Sequence, residues 1–301
     1  MLKIIKNWTL PIAMLIGALA YPFFTSLSFL TPYLIFTMLL LTFCKISPHD
    51  LKISPLHLWL LLIQLGGSML VYGMLCHIDR IVAQGAMVCI ICPTATAAAV
   101  ITQKLGGNAA SLTTFTLLSN IGVAIAVPIL FPLIEPKADL SFFSAFLIII
   151  SKVFPLLICP FMTAWLLQKL TPKIHARLLA NHEVAFYLWA ISLTIVTAKT
   201  VYSLIHEPAE AYTEIWLAIA ALIACGLQFF LGKNIGSIYS DRISGGQALG
   251  QKNTILAIWM AYTYLNPISS VAPGSYVLWQ NIVNSYQLWK KRHLSIKGSA
   301  Q

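Results

Sequence analysis

The chain has few charged residues, and acidic residues are the scarcest. Only 9% of its 301 residues are charged, Asp and Glu together number 9, and 58% are hydrophobic. A soluble domain carries about 25% charged residues. About 20 consecutive apolar residues span a bilayer as a helix. The composition therefore excludes an ordinary soluble protein and predicts an all-α, multi-pass membrane protein, with the lipid bilayer as one partner.

The apolar segments lack the residues that several functions require. All nine Asp and Glu residues lie at or beyond the ends of these segments, and no histidine lies in a segment interior, so an intramembrane enzyme and a carboxylate-dependent cation–proton antiporter are not expected. The 6 cysteines are scattered, and Cys89 and Cys92 form a lone CxxC without a second pair or a nearby histidine. Free cysteine in such segments behaves as a small hydrophobe. We therefore expect no metal, no cofactor and no enzymatic activity.

Charge placement predicts the topology. If the N-terminus is cytoplasmic, most of the 19 Lys and Arg residues lie inside and only Arg80 and Lys137 lie outside, as the positive-inside rule requires. The net charge of +10 is then a topology signal, and no nucleic-acid partner is expected. We predict a bacterial inner membrane protein with both termini in the cytoplasm. The predicted spans are residues 8–28, 29–46, 54–76, 82–104, 109–134, 140–168, 181–205, 212–232, 243–265 and 268–289.

The single membrane domain, residues 1–301, divides into two halves of five spans, residues 1–136 and 137–301. An odd number of spans per half makes the second half an inverted repeat of the first, which is common in transporters. The fourth span is interrupted at Pro93 and the ninth at Gly250. Proline removes a backbone donor and glycine lowers the cost of unwinding, so both positions predict helix breaks. The alternative is an ordinary proline kink and an early helix start after a cytoplasmic loop.

At these two interruptions the chain resembles the bile acid:sodium symporter family. The run CPTATAAA at 92–99 is similar to the family's Cys-Pro-small-small-Thr-Ala-Ser-Asn signature, and ALGQKNTILA at 248–257 to its Glu-x-Gly-x-Gln-Asn-Ser/Thr-Gly-Leu-Ala signature. Residues 266–281 resemble its final span. The resemblance implies a core domain of spans 3, 4, 5, 8, 9 and 10, in which spans 4 and 9 cross as broken helices. It also implies a panel of spans 1, 2, 6 and 7, with the substrate bound between panel and core.

The chain departs from the family at the residues that hold sodium. The resemblance implies two sodium ions beside the helix crossing, bound by the Ser-Asn pair, by the Glu and Gln of the second signature and by groups on spans 3 and 5. Here Ala98 and Ala99 replace the Ser-Asn pair, Ala248 replaces the Glu and Lys252 replaces the Gln. Most sodium ligands are thus missing, and an ammonium in the same volume would repel a second cation.

Lys252 is the most informative residue of the chain. A charge at bilayer depth costs about 2.5–3.5 kcal/mol on insertion scales and marks a functional site by default. We predict that its ammonium replaces sodium and contacts Gln64, Thr116 and unwound carbonyls of spans 4 and 9. Alternatively, Lys252 reaches the cytoplasmic membrane surface or contacts an anionic substrate. A desolvated lysine also releases its proton more readily. Proton-coupled transport, uniport and exchange are therefore all left open.

The other candidate residues flank the breaks or lie in the panel. Lys199, in the seventh span, would attract an organic anion or extend to the surface beside His206 and Glu207. Lys152, in the sixth span, has the same two interpretations. The complete candidate substrate or ion site is Lys252, Asn253, Thr254, Gln64, Thr94, Thr96, Thr116, Gln251, Asn281 and Lys199, with Pro93 and Gly250 as the helix breaks.

The sequence therefore predicts a secondary active or facilitative transporter of an organic anion, bile-acid-like or a small carboxylate. It would work by alternating access without sodium. The first alternative is a sodium-coupled symporter that keeps a reduced site made of Gln64, Thr116 and backbone oxygens. The second is a non-transporting membrane sensor or scaffold. The substrate, the coupling ion, the direction of transport and the oligomeric state are left open.

Overall fold

The computed structural model describes residues 2–46, 51–136, 138–181, 184–206 and 211–298, and these residues are mostly helical. Helix makes up 86% of the structure, and the described residues contain no strand. The predicted all-α class is confirmed. The α-helices are α1 (Leu2–Leu19), α2 (Tyr21–Ser26), α3 (Thr31–Phe43), α4 (Pro55–Leu75), α5 (Arg80–Ile91), α6 (Ala98–Leu105), α7 (Ala109–Ile134), α8 (Phe142–Leu170), α9 (Pro172–Ala180), α10 (Val184–His206), α11 (Ala211–Ile238), α12 (Arg242–Gly250), α13 (Thr254–Tyr264) and α14 (Val271–Gly298). Short 3₁₀ helices span Ser28–Leu30 and Pro267–Ser270.

Within the described residues, 5 helices are long and apolar enough to cross a membrane. This supports the predicted membrane location in its general form. The first, second, fourth and ninth predicted spans correspond to shorter helices or to helices in two pieces. The tenth lies mostly in α14, a helix of 28 residues that is not among the five, and α9 occupies a segment between two predicted spans. The five long apolar segments are Pro55–Leu75, Ala109–Ile134, Phe142–Leu170, Val184–His206 and Tyr212–Ile238.

Local capping residues determine where several helices begin and end. The Ser54 side chain accepts from the backbone of His57, and the His57 ring accepts from the Ser54 N–H, which together form a capping box at the start of α4. Asp79 starts α5 by accepting hydrogen bonds from the N–H groups of Ile81 at 2.8 Å and Val82 at 3.0 Å. α6 ends at Gly106, whose φ of +81° lies in the left-handed region that glycine adopts without strain.

The chain folds into two compact units, and each unit takes segments from both halves of the sequence. Unit 1 holds α1–α3, α8–α10, α13 and the C-terminal part of α7. Unit 2 holds α4–α6, the N-terminal part of α7, most of α11, α12 and most of α14. Unit 1 is Met1–Pro48, Val123–Glu214 and Ile255–Val271, and unit 2 is His49–Gly122, Ile215–Thr254 and Ala272–Gln301.

Close backbone packing places α12 inside unit 2. A Cβ atom on Gly232 of α11 would collide with the carbonyl of Gly245, and a Cβ atom on Gly245 would collide with the carbonyl of Gly232. The two helices therefore touch backbone to backbone, which small residues allow in membrane proteins. The end of α12 also packs into a buried apolar cluster formed by Leu56, Leu60, Ala98, Leu112, Phe115, Ala248 and Leu249.

Candidate functional site

Two interrupted helices meet in unit 2. α5 ends at Ile91, and the chain is not helical again until α6 begins at Ala98. α12 ends at Gly250, and α13 begins at Thr254. Pro93 lies in the first interruption, while Gly250 is the last helical residue before the second. Each of these two segments is therefore a pair of separate helices rather than one kinked helix.

The two interruptions pair with each other through their backbones. Thr94 and Lys252 form an isolated antiparallel bridge. The Ala95 N–H donates to the Gln251 carbonyl at 2.8 Å, and the Asn253 N–H donates to the Pro93 carbonyl at 2.9 Å. Irregular backbone inside a membrane protein must find hydrogen-bond partners within the protein. The crossing satisfies part of this requirement by using each interruption as the partner of the other.

Side chains from three other places cap the C-terminal end of α5. The Lys252 Nζ donates to the Ile90 carbonyl at 2.8 Å. The Gln64 Nε2 donates to the Ile91 carbonyl at 2.7 Å and to the Cys92 carbonyl at 3.2 Å. The last carbonyls of a helix lack partners within the helix and carry partial negative charge. The Gln228 Nε2 completes the set by donating to the Cys89 carbonyl at 3.2 Å.

The C-terminal end of α12 is capped by neutral groups. The Thr94 hydroxyl donates to the Ala248 carbonyl at 2.7 Å, and the Tyr276 hydroxyl donates to the Gly250 carbonyl at 2.9 Å. Tyr276 in turn accepts a hydrogen bond from Gln228 at 3.0 Å. Each interruption thus supplies a side chain that caps the other half-helix: Lys252 caps α5 and Thr94 caps α12.

The Lys252 ammonium is enclosed by protein. Its side chain is 1% exposed, and among the described residues it is the only Lys, Arg, Asp or Glu that is buried. Its backbone N–H is also held, by the Gln280 side-chain oxygen at 2.8 Å. The hydrogen bond to Ile90 and the burial are inconsistent with a side chain that extends to the membrane surface.

Within the described residues, Lys252 makes no hydrogen bond to Gln64 or Thr116. Gln64 turns its amide nitrogen to the carbonyls at the end of α5, and its oxygen accepts from the Ser119 hydroxyl at 2.8 Å. The Thr116 hydroxyl bonds to the Leu112 carbonyl of its own helix at 2.9 Å, as threonines in helices commonly do. Both groups are satisfied elsewhere, so the ammonium bonds to the backbone instead.

The remaining candidate residues of unit 2 lie in three places. Gln251, Asn253 and Thr254 adjoin Lys252, and the Gln251 side-chain oxygen is buried without a hydrogen-bond partner in the described structure. Thr96 is half-buried in the first interruption. The Asn281 side chain donates to the Val277 carbonyl of its own helix at 2.7 Å, so this hydrogen bond lies within α14.

Sequence reasoning missed three residues that complete the crossing. Gln228, Ser119 and Tyr276 are buried and contact the broken helices or Gln64. A lone Gln within the apolar α11 was the only available signal for Gln228. No sequence signal pointed to Ser119 or Tyr276. They lie on α7 and α14, far along the chain from the interruptions that they contact.

Two further lysines belong to unit 1. The Lys199 Nζ lies 4.9 Å from the ring centre of Tyr202 and 5.8 Å from that of Tyr262. Lys152 is exposed and lines a cavity of about 190 Å³ together with Tyr264. Neither lysine takes part in the hydrogen-bond network of the crossing.

Unit 2 also contains a larger polar cavity, of about 790 Å³, where α4, α7 and α12 begin. Lys52, His57 and Arg242 line it, and the His57 Nε2 lies 3.0 Å from the Ser111 hydroxyl. No group of three or more His, Cys, Asp or Glu in the described residues has an arrangement that would hold a metal ion.

The comparison with known proteins identifies no family for this chain, so its function is inferred from the geometry of the crossing. No protein-family model and no curated protein matches this chain. The resemblance to the bile acid:sodium symporter family therefore depends on the two interrupted segments and on the residues around them.

Proposed function

We propose that this protein is a secondary active or facilitative transporter of an organic anion that works by alternating access without sodium. The observation that carries the proposal is the hydrogen bond from the Lys252 ammonium to the Ile90 carbonyl at the end of α5. In transporters with discontinuous helices, unwound carbonyls and the C-terminal ends of half-helices coordinate the coupling cation. Here the chain places its own cation at such an end.

Electrostatics supports the absence of a sodium ion at this position. A sodium ion about 4 Å from the ammonium would be repelled by about 4 kcal/mol at an effective dielectric constant of about 20. The nearby oxygen ligands are also few. Ala98 and Ala248 have no side-chain oxygen, and the Gln64 oxygen already accepts from Ser119. The reduced sodium site of the alternative proposal would have to displace these contacts.

The finer architecture is part of the proposal. It comprises ten spans in two inverted repeats, membership of the bile acid:sodium symporter family, and an inner membrane location with both termini in the cytoplasm. The interruptions at Pro93 and Gly250, at corresponding places in the two halves, support it. The division of the chain into two units also supports the proposed mechanism, because alternating access requires one bundle of helices to move against another.

Uptake into proteoliposomes tests the proposal. The full-length protein would be reconstituted and offered a panel of labelled organic anions, from small carboxylates to steroid conjugates, in sodium and in potassium at two pH values. We expect equal uptake in the two salts. A pH effect would identify proton coupling through a titratable group. Uptake that requires sodium would show that the assigned role of Lys252 is wrong.

A further inference from the structure

Unit 1 contains a polar cluster that is independent of the crossing. It is formed by Lys199 on α10, Tyr262 on α13 and Thr31 on α3, which we call the lysine–hydroxyl cluster. The Lys199 Nζ lies 5.8 Å from the Tyr262 ring centre, and the Tyr262 hydroxyl lies beside the Thr31 hydroxyl. Three helices of one unit therefore bring a cation and two hydroxyl groups together.

The two hydroxyl groups of the cluster have unused hydrogen-bonding capacity. Thr31 is 0% exposed, and neither its hydroxyl nor that of Tyr262 makes a hydrogen bond of acceptable geometry in the described structure. Buried polar groups are nearly always paired, and an unpaired one destabilises the protein. In contrast, the Thr200 hydroxyl next to Lys199 is paired with the Val196 carbonyl at 3.1 Å.

The contacts of the lysine leave its hydrogen-bond donors available. In the described part of the chain, the Lys199 ammonium contacts the rings of Tyr202 and Tyr262. Aromatic rings attract a cation, but they accept no strong hydrogen bond from it. The ammonium is a donor without an acceptor of its own, the two hydroxyl groups are able to donate as well, and a carboxylate supplies up to four acceptor positions.

We propose that Lys199, Tyr262 and Thr31 bind the carboxylate of the transported anion. The inference rests on the proposed transport function and extends it, because it identifies the chemical group that is recognised and the residues that hold it. Charge-assisted hydrogen bonds are about twice as strong as neutral ones. The cluster thus selects a carboxylate over an uncharged group of the same shape. Tyr262 also lies on α13, which begins at Thr254, directly after the interruption that contains Lys252.

The test compares a carboxylate with its carboxamide analogue. We would choose a carboxylate that the wild-type protein transports, and measure binding to the purified full-length protein and initial uptake rates. Thr31→Val and Tyr262→Phe each remove one hydroxyl and nearly preserve shape. Each should raise the Kd and KM for the carboxylate about tenfold. Lys199→Gln should raise them about a hundredfold and remove the preference for the carboxylate over the carboxamide.

Matched controls separate binding from folding. Thr37→Val removes a hydroxyl from the same helix as Thr31, where it is paired with the Tyr33 carbonyl at 2.8 Å, and Lys173→Gln removes an exposed lysine of α9 in unit 1. Both should keep the carboxylate preference of the wild type. Lys199→Arg should recover most of the preference, because it restores the charge. A merely structural role for Lys199 would lower protein yield without changing the ratio of the two Kd values.

The outcomes distinguish the site from the transport function. If Thr31→Val, Tyr262→Phe and Lys199→Gln keep the wild-type ratio while sodium-independent uptake persists, the cluster does not bind the substrate and only this inference fails. If the wild-type protein transports none of the anions, the proposed function fails. In that case the carboxylates of the panel would be tested for binding to the purified protein alone, and binding that these three substitutions weaken would still support a carboxylate site.

Discussion

The C-terminal ends of α5 and α12 meet the same physical requirement in different ways. Both half-helices end inside unit 2, and both expose carbonyl groups that need donors. At α5 the donors include the Lys252 ammonium, while at α12 they are the neutral hydroxyls of Thr94 and Tyr276. A buried helix end therefore needs hydrogen-bond donors, but it does not need a charge, and the cation at α5 calls for a separate explanation.

The difference in charge is most simply explained by ion replacement. A helix C-terminus carries a partial charge equivalent to about −0.5, which favours a nearby cation. The two half-helices share this property, but only α5 has an ammonium, and the described residues contain no buried carboxylate that would require one. The following substitutions test whether the α5 end is an ion position and the α12 end is not.

The largest effect is expected for Lys252→Met. The substitution removes the donor to the Ile90 carbonyl and opens a carbonyl-lined position to cations. Uptake of the organic anion should fall at least about tenfold, and the loss of the hydrogen bond should destabilise the protein by about 1.5–3 kcal/mol. Sodium should then stabilise this variant by up to about 2.7 kcal/mol at a concentration of about 100 times its Kd, and its thermal midpoint in detergent should rise accordingly.

Lys252→Gln is the matched control for the charge. Its amide is able to donate to a carbonyl, as Gln64 does at the neighbouring Ile91, so it should be more stable than Lys252→Met. If sodium stabilises neither variant more than the wild type, the ammonium is a hydrogen-bonding cap and does not replace an ion.

Substitutions at the α12 end should have intermediate effects that do not depend on the salt. Tyr276→Phe leaves the Gly250 carbonyl unpaired, and Thr94→Val does the same to the Ala248 carbonyl. Each should destabilise the protein by about 1–3 kcal/mol. Thermal unfolding in detergent would be measured in sodium and in potassium. If sodium, but not potassium, restored the thermal midpoint of either variant, the α12 end would also be an ion position and would not differ from the α5 end.

Gly232→Ala should displace α12 and so disturb both helix ends. The added Cβ atom would collide with the backbone of Gly245, and overpacking typically costs about 1–3 kcal/mol. Gly226→Ala on the same helix is the control, because a Cβ atom there meets nothing within 4 Å. Equal thermal midpoints for the two variants would contradict the close packing of α11 and α12.

The smallest effect is expected for Thr116→Val. The hydroxyl bonds only to the preceding turn of its own helix, and its removal should change the free energy of unfolding by less than about 0.5 kcal/mol. Uptake in sodium and in potassium should match the wild type. A selective loss of uptake in sodium would restore Thr116 as a sodium ligand and favour the reduced sodium site.

The places where the broken helices end were accessible from the sequence, but their partners were not. Proline lacks an N–H group and glycine lacks a Cβ atom, so the signals at Pro93 and Gly250 are local. The donors that cap these ends come from α4, α11 and α14. Their identity depends on which helices become neighbours in unit 2, and for that reason the sequence did not identify the Ile90 carbonyl as the acceptor for Lys252.

The sequence by itself determined that the chain is an all-α membrane protein, because its apolar segments are long enough to cross a bilayer as helices, in which most backbone groups are paired within the segment. The order of the residues also singled out Lys252 as a charge with no acidic residue nearby. Tertiary structure decided what that charge does. Packing brought the end of α5 within hydrogen-bonding distance of the ammonium, and in unit 1 it placed Lys199 near the ring of Tyr262, which belongs to a helix that is distant in the sequence.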